Sequence, residues 1–329
     1  MRSLTSILVT ASLVSPAIAG EDWITDFDEA AQLAKEQGKN LLVDFTGSDW
    51  CTWCIRLHDE VFQYDAFVEG TRDDFVLVYL DFPRSDAARA AVPNPERNRE
   101  LAQAHGVRGY PTVLLMSPDG VVFGRTGYQQ GGVDKYLKHL GDLSREPLMQ
   151  QRRILEVVRA FEESDGGAAA LGLVLEAAES GLGTSPFAGA MESALRSGLK
   201  AEDAELRGRA VTALVDLGVV DKEILAAAIE ADPTNKQGLY GDALFAFAEG
   251  VDTEDAIAPA ARMIDAFFAV PDLAKVRRES SIMLLVYGAH WNQNFLDDPE
   301  RAREYARLGL ERTKPQHRAR RVFNQIARD

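Results

Sequence analysis

The chain has 329 residues, of which 46% are hydrophobic and 26% charged, a globular composition that excludes disorder and low complexity and suggests two domains. Its 36 Lys and Arg residues against 51 Asp and Glu residues give a net charge of −15, which argues against a nucleic-acid partner because phosphate contacts need clustered basic side chains. The only two cysteines, Cys51 and Cys54, are too few for a disulfide framework or a four-cysteine zinc site.

The N-terminal residues follow the pattern of an export signal. Arg2 supplies a positive charge, residues 4–14 are mainly apolar, and Ala17 and Ala19 form a small-x-small cleavage site. We therefore expect a signal peptide at residues 1–19, with a buried N-terminal helix as the alternative. No later segment has the run of about 18 apolar residues that spans a membrane. The mature protein is thus expected to be exported, either periplasmic or secreted, where disulfides can form.

Residues 20–147 are predicted to form an α/β domain with a mixed central sheet covered by helices on both faces. Asp26 and Gly38 are predicted to bound the first helix, and a helix from Cys51 to about Phe67 is expected to turn Ile55 inward. The other predicted elements are strands at 41–45, 75–80, 111–116 and 121–125 and helices at 96–105 and 133–143.

Residues 148–329 are predicted to form a second, all-α domain. Their alanine-rich helical patterns, separated by Asp-Pro turns, resemble tetratricopeptide-like or other α-solenoid pairs. No strict 34-residue period is present, so a plain helical bundle is the alternative.

The reactive chemistry is expected at Cys51 and Cys54. Two cysteines three positions apart at the start of a helix can close a small disulfide without unwinding the helix. The helix N-terminus favours an anion, which lowers the pKa of the first thiol and makes it a nucleophile toward a partner's disulfide. The second cysteine lies one turn further in and is expected to be shielded and less acidic. It then attacks the mixed disulfide and releases the substrate. An inert structural disulfide is the alternative interpretation.

The sequence resembles the thioredoxin superfamily, in its secreted bacterial members with a WCxxC motif. The resemblance rests on Leu42-Val43-Asp44-Phe45, Trp50-Cys51-Thr52-Trp53-Cys54 and the Gly-Tyr-Pro-Thr segment at 109–112, and covers roughly residues 23–143. It implies that Pro111 is a cis proline facing the cysteine pair and that Tyr110 presents main-chain groups to an extended substrate.

The resemblance also implies that Asp44 is a buried carboxyl that moves protons to or from Cys54. Trp50 and Trp53 are expected to meet the substrate as an apolar rim. The function predicted is a secreted thiol–disulfide oxidoreductase that acts on protein disulfides, with an unidentified upstream redox partner and no cofactor besides its own cysteines. The Thr52-Trp53 dipeptide leaves the direction of the reaction open. The helical half is expected to bind a partner or client, or to dimerise.

Two further hypotheses concern binding. Cys51, Cys54 and His58 share a helix face, and His58 is interpreted as a surface histidine, so no metal site is predicted. The alternative is a Cys2His site for Cu(I) or Zn, which would make the protein a non-catalytic binding protein or copper carrier. Residues 82–99 make the chain longer here than a simple thioredoxin core needs, and they carry a local charge of +2. They follow a strand and are interpreted as either a substrate-selecting loop or an ordinary surface insertion.

Overall fold

The computed structural model describes residues 22–270 and 278–328, so the predicted signal peptide lies outside the described residues. The chain divides into two compact units after Met149, within the helix Gly132–Glu162. The domain boundary at 147/148 stays a prediction.

The N-terminal unit is built on a five-stranded mixed sheet in the order β1-β3-β2-β4-β5. The strands are β1 (Trp23–Ile24), β2 (Asn40–Thr46), β3 (Phe75–Asp81), β4 (Thr112–Met116) and β5 (Val122–Thr126). β1, β3 and β2 run parallel, whereas β4 is antiparallel to β2 and to β5. Because Thr46 pairs with Asp81, the segments after β2 and β3 leave the sheet at the same edge.

Six helices belong to or begin in this unit: α1 (Phe27–Gln37), α2 (Thr52–Leu57), α3 (Asp65–Thr71), α4 (Asp86–Ala91), α5 (Pro95–Ala104) and α6 (Gly132–Glu162). The termini of α1 agree with the sequence signals. The Asp26 carboxylate accepts hydrogen bonds from the N–H groups of Asp28 and Glu29, and Gly38 ends the helix with φ of +66°.

The prediction of one helix from Cys51 to about Phe67 is wrong. A π-helical turn over His58–Phe62 follows α2, and α3 begins afresh at Asp65. Val61 and Phe62 are buried as expected, but Ile55 is 40% exposed. An apolar spacing of 3.6 residues does not anticipate the wider π turn, which changes the face on which the following residues lie.

The two faces of the sheet have different cores. Val43 and Phe45 on β2 belong to an aliphatic cluster with residues of α1 and α5. Asp44 lies between them in the strand, and its side chain points to the opposite face of the sheet because successive side chains of a strand alternate between the two faces. That face carries an aromatic cluster in which Phe62 and Phe67 are 4.8 Å apart and Phe62 and Tyr136 are 5.7 Å apart, measured between ring centroids.

The C-terminal unit contains no strand among its described residues, which confirms the helical prediction. After α6 its α-helices are α7 (Ala168–Glu179), α8 (Glu192–Ser197), α9 (Ala204–Asp216), α10 (Lys222–Ala231), α11 (Leu239–Glu249), α12 (Glu254–Ala269), α13 (Glu279–Asn294), α14 (Pro299–Arg312) and α15 (Arg320–Ile326). The strongest packing joins helices close in sequence, such as α10 with α11 and α13 with α14. The tetratricopeptide-like interpretation stays a prediction. In the described part of the chain, no helix combines the length and apolar character needed to cross a membrane.

Candidate active site

Cys51 and Cys54 form a disulfide at the start of α2. Cys51 is the N-cap residue, and its Sγ accepts a hydrogen bond of 3.2 Å from the backbone N–H of Cys54. Both residues are nearly buried, with 6% of Cys51 and 4% of Cys54 exposed. The sequence argument expected Cys54 to be the shielded member; in this disulfide form the two cysteines are shielded almost equally. A hydrogen bond to sulfur at a helix N-terminus stabilises a thiolate once the disulfide is reduced.

Asp44 is buried, with 2% of its surface exposed, and its Oδ1 accepts no hydrogen bond from any described residue. Burial raises the pKa of Asp44 to about 8, and repulsion from Asp81 contributes to the same rise. In the strand register Asp44 pairs with Tyr79 and Thr46 pairs with Asp81, so these side chains lie on one face. Asp44 is therefore a protonated carboxyl at neutral pH, without a neighbouring cation.

Asp81 connects the end of β3 to the loop that leads to Cys51. Its two carboxylate oxygens accept hydrogen bonds from Ser48, at 2.9 Å from the backbone N–H and at 2.5 Å from the hydroxyl. These bonds fix the loop that follows β2 to the neighbouring strand. Asp81 thus has two connections, a hydrogen-bonded one to Ser48 and an electrostatic one to Asp44.

Trp50, immediately before Cys51, is held on one side of the cysteine pair. Its indole N–H donates a 2.9 Å hydrogen bond to the carbonyl of Phe82, and its ring lies edge-on to Tyr110 at 5.7 Å between centroids. The peptide bond between Tyr110 and Pro111 is cis. The structure therefore brings Trp50, Tyr110 and Pro111 to the neighbourhood of the cysteines, together with Phe82, whose ring is 5.2 Å from that of Tyr110.

Trp53, on the other side, is 53% exposed and packs against Tyr128, with 5.2 Å between ring centroids. The Arg56 guanidinium lies 5.2 Å and 5.0 Å from these two ring centroids. Glu60 completes the group: it pairs with Arg56 at 2.8 Å and accepts a 2.6 Å hydrogen bond from the Tyr128 hydroxyl. An open pocket of about 540 Å³ is lined by Trp53, Arg56, Tyr110, Pro111, Tyr128 and Gln130.

The segment that follows β3 is attached to the loop before Cys51. The Asp49 carboxylate accepts hydrogen bonds from the backbone N–H groups of Arg84 (2.9 Å) and Ser85 (2.7 Å). These bonds lower the pKa of Asp49 to about 2, so Asp49 is ionised at working pH. The Arg84 guanidinium lies 3.8 Å from the Trp50 ring centroid. Residues 82–99, interpreted from sequence as a loop or insertion, include α4 and the first turn of α5.

The alternative Cys2His metal site is not formed in this structure. Within residues 22–270 and 278–328, no three side chains of His, Cys, Asp or Glu are grouped so that they could hold a metal ion. Cys51 and Cys54 are bonded to each other, and the nearest acidic contact of His58 is Asp59, at 3.3 Å. In this disulfide form the two sulfurs are not free to bind a metal ion, and the copper-carrier alternative for the reduced pair stays a hypothesis.

Several residues of this neighbourhood were missed by sequence reasoning. Asp81 directly follows a predicted buried strand, and parallel pairing with β2 would have placed it beside the residues after Thr46. Tyr128 and Glu60 carry no comparable signal. Their hydrogen bond joins residues 68 positions apart and follows from the tertiary packing.

Comparisons with known proteins agree with this geometry. A family model described as a thioredoxin-like domain matches residues 27–141. "Disulfide bond reductase DsbH" of Chlamydia pneumoniae is 30% identical over 121 residues, which are 37% of this chain and 71% of that protein. "Thioredoxin-related protein DsbJ" of the same organism is 26% identical over 242 residues, 69% of this chain and 64% of that protein.

A solved structure named "DsbH Oxidoreductase" is 26% identical to this chain, with a TM-score of 0.33. The match covers 44% of this chain and 95% of the solved chain. The assignment to a family rests on the relative that is 30% identical and of which this chain covers 71%. The family model matches the same cysteine-bearing unit. On that basis the chain belongs to the thioredoxin superfamily, and it is a thiol–disulfide oxidoreductase.

Proposed function

We propose that this protein reduces disulfide bonds of client proteins in an exported, periplasm-like compartment. The observation that carries the proposal is the Cys51–Cys54 disulfide with Cys51 at the N-cap of α2, the position that stabilises an attacking thiolate. The direction is taken from the relative named as a disulfide bond reductase, to which the cysteine-bearing unit is similar. The exported location is supported by the signal-like N-terminus.

The reaction runs in two exchanges. The Cys51 thiolate attacks a client disulfide, forms a mixed disulfide and releases one client sulfur, which takes up a proton. The Cys54 thiol then loses its proton, and its sulfur attacks Cys51 Sγ. This step releases the second client sulfur and restores the Cys51–Cys54 disulfide. Two electrons pass to the client, so a dithiol donor protein must reduce the pair again.

Asp44 is proposed as the group that takes the proton from Cys54. With a pKa of about 8, Asp44 is mostly protonated at neutral pH, and its minor ionised fraction is the form that accepts the proton; that form is a stronger base than an ordinary aspartate. We assign substrate contact to Trp50, Trp53, Tyr110 and Pro111, which surround the cysteines on two sides. The helical unit is proposed to bind a partner or client.

Two serine variants test the order of the exchanges. Cys54→Ser should accumulate a mixed disulfide with a model client such as oxidised insulin, because Cys51 can attack but nothing resolves the product. Cys51→Ser is the matched control and should trap none. Non-reducing gels with mass spectrometry measure both. Equal trapping by the two variants, or trapping through Cys54 alone, contradicts the assigned roles.

The direction is tested by the reduction potential of the cysteine pair, measured by equilibration with glutathione. A reductase is expected near about −270 mV, whereas a disulfide donor lies near about −120 mV. A value close to the second figure would overturn the direction and leave the oxidoreductase activity standing. Fractionation of cells that express the full chain, with and without residues 1–19, tests export.

A further inference from the structure

The segment from Phe82 to Ser85, here called the β3 extension, occupies a fixed place beside the cysteine motif. Its carbonyl at Phe82 accepts from the Trp50 indole, and its N–H groups at Arg84 and Ser85 donate to Asp49. All three hydrogen bonds reach the two residues directly before Cys51. The extension therefore keeps its position relative to the nucleophile while the Arg84 side chain remains exposed.

Arg84 is the cation that this arrangement presents. The residue is exposed, and its guanidinium lies on the Trp50 ring, 3.8 Å from the ring centroid. Among the described residues, no carboxylate forms an ion pair with it. Two nearby arginines differ: Arg56 pairs with Glu60 at 2.8 Å, and Arg89 pairs with Asp86 at 3.7 Å.

A guanidinium keeps its charge at all working pH values and offers paired donors that match a carboxylate. The Trp50 ring orients it, which reduces the side-chain entropy lost when it binds a partner. The ionised Asp49 carboxylate nearby is bound by the backbone N–H groups of Arg84 and Ser85 and forms no ion pair with the Arg84 guanidinium. In a chain with a net charge of −15, this guanidinium therefore offers a local site for negative charge next to the cysteine motif.

We propose that Arg84 selects client segments that carry an Asp or Glu carboxylate next to the cysteine to be reduced. The inference rests on the proposed function and adds a client class to it. It also gives the beginning of segment 82–99 the substrate-selecting role that the sequence left open for that whole segment against an ordinary insertion.

Three peptide disulfides test the proposal. Each is a symmetric dimer of a short peptide with one cysteine, flanked by Asp, by Asn or by Lys, and otherwise identical. The pre-reduced full-length protein converts each dimer to two thiols while its own cysteine pair becomes a disulfide. Rates are followed by acid quench and chromatography. Each rate is divided by the rate at which uncharged dithiothreitol reduces the same dimer. This division removes the intrinsic reactivity of the peptide disulfide from the comparison.

The wild type should favour the Asp peptide over the Asn peptide by about fivefold at low salt, the size expected of one exposed ion pair, and the Lys peptide should be slowest. Arg84→Gln should reduce this preference to less than twofold while the Asn peptide keeps its rate. Arg84→Lys should restore part of it. Arg99→Gln, a control on α5 whose side chain pairs with Glu96, should leave it unchanged, and high salt should suppress it.

A wild type that reduces all three peptides at equal normalised rates overturns the assignment while the proposed function stands. An Arg84→Gln variant that slows every peptide equally also overturns it, because the role of Arg84 would then be structural. If the wild type reduces neither insulin nor any of the three peptides, the proposed function itself is refuted.

Discussion

Replacing Asp44 with asparagine should change how the stability of the protein depends on pH. Asparagine keeps the shape of the side chain and removes its ionisation. In the folded protein, burial and repulsion from Asp81 raise the Asp44 pKa from its ordinary 3.8 to about 8. The folded state therefore holds this proton up to about pH 8, whereas the unfolded chain releases it near pH 4.

The sign and size of the effect follow from this difference. Below about pH 4 both states are protonated, and the stability that Asp44 contributes is fully present. Above that, the unfolded state gains free energy by releasing the proton, so the free energy of unfolding falls by about 1.36 kcal/mol per pH unit. The loss ends as the folded state ionises near pH 8. Over this interval it is on the order of 5 kcal/mol.

Urea unfolding between pH 4 and 9, with the disulfide intact, measures the effect. Trp23, Trp50 and Trp53 lie in the N-terminal unit and Trp291 in the other, so Trp291→Phe in both proteins limits the fluorescence signal to the unit of interest. The free energy of unfolding of Asp44→Asn minus that of the parent should rise with pH and level off near pH 8. Other titrating groups cancel in this difference.

Asp81→Asn is the second variant in this series. Asparagine still accepts the Ser48 N–H through its side-chain oxygen, while the charge that faces Asp44 is removed. The pH at which the stability loss ends should therefore move downward. A difference between Asp44→Asn and its parent that does not vary with pH would refute the reasoning, because it would mean that Asp44 ionises in the folded protein as readily as in the unfolded one.

Three further outcomes are expected. A Cβ added at Gly47 would lie 2.6 Å from the Trp50 ring. Gly47→Ala should therefore lower the free energy of unfolding measured in urea by about 1–3 kcal/mol and slow the reduction of insulin. Gly109→Ala is the control and should do neither, because its Cβ would meet nothing within 4 Å. Phe67→Ala should cost about 3–5 kcal/mol in the same assay, because the Phe67 ring is fully buried; a cost below about 1 kcal/mol would contradict its place in the core. Asp221→Ala should destabilise the helical unit by about 1 kcal/mol or more in thermal unfolding, since its carboxylate caps α10 and also pairs with Arg196 at 2.8 Å; an unchanged midpoint would show that neither contact contributes.

Local signals in the sequence were sufficient for much of the N-terminal unit. The capping residues Asp26 and Gly38 bound α1 where the structure places its ends, and the apolar run at 41–45 lies within β2. The cysteine pair was also evident, because its chemistry is carried by residues close together in the chain, whereas the cis bond at Pro111 was implied by the family resemblance.

The remaining features depend on contacts between distant residues. Asp49 meets the backbone of Arg84 and Ser85 across 35 and 36 positions, which requires the β2–β3 pairing to be known first. Ile55 was misassigned because the π turn after α2 departs from the helical period used to predict it. The residues surrounding the cysteines were thus harder to predict than the cysteines themselves.

The β3 extension is attached to the cysteine loop through main-chain atoms of its own. The Phe82 carbonyl and the N–H groups of Arg84 and Ser85 make the three bonds, and none of these needs a particular side chain at those positions. The exposed amino acids at 84 and 85 can therefore be exchanged, except for proline, while the attachment persists. The extension is consequently a place where relatives of this enzyme, or a designed library, can change client preference without altering the redox motif.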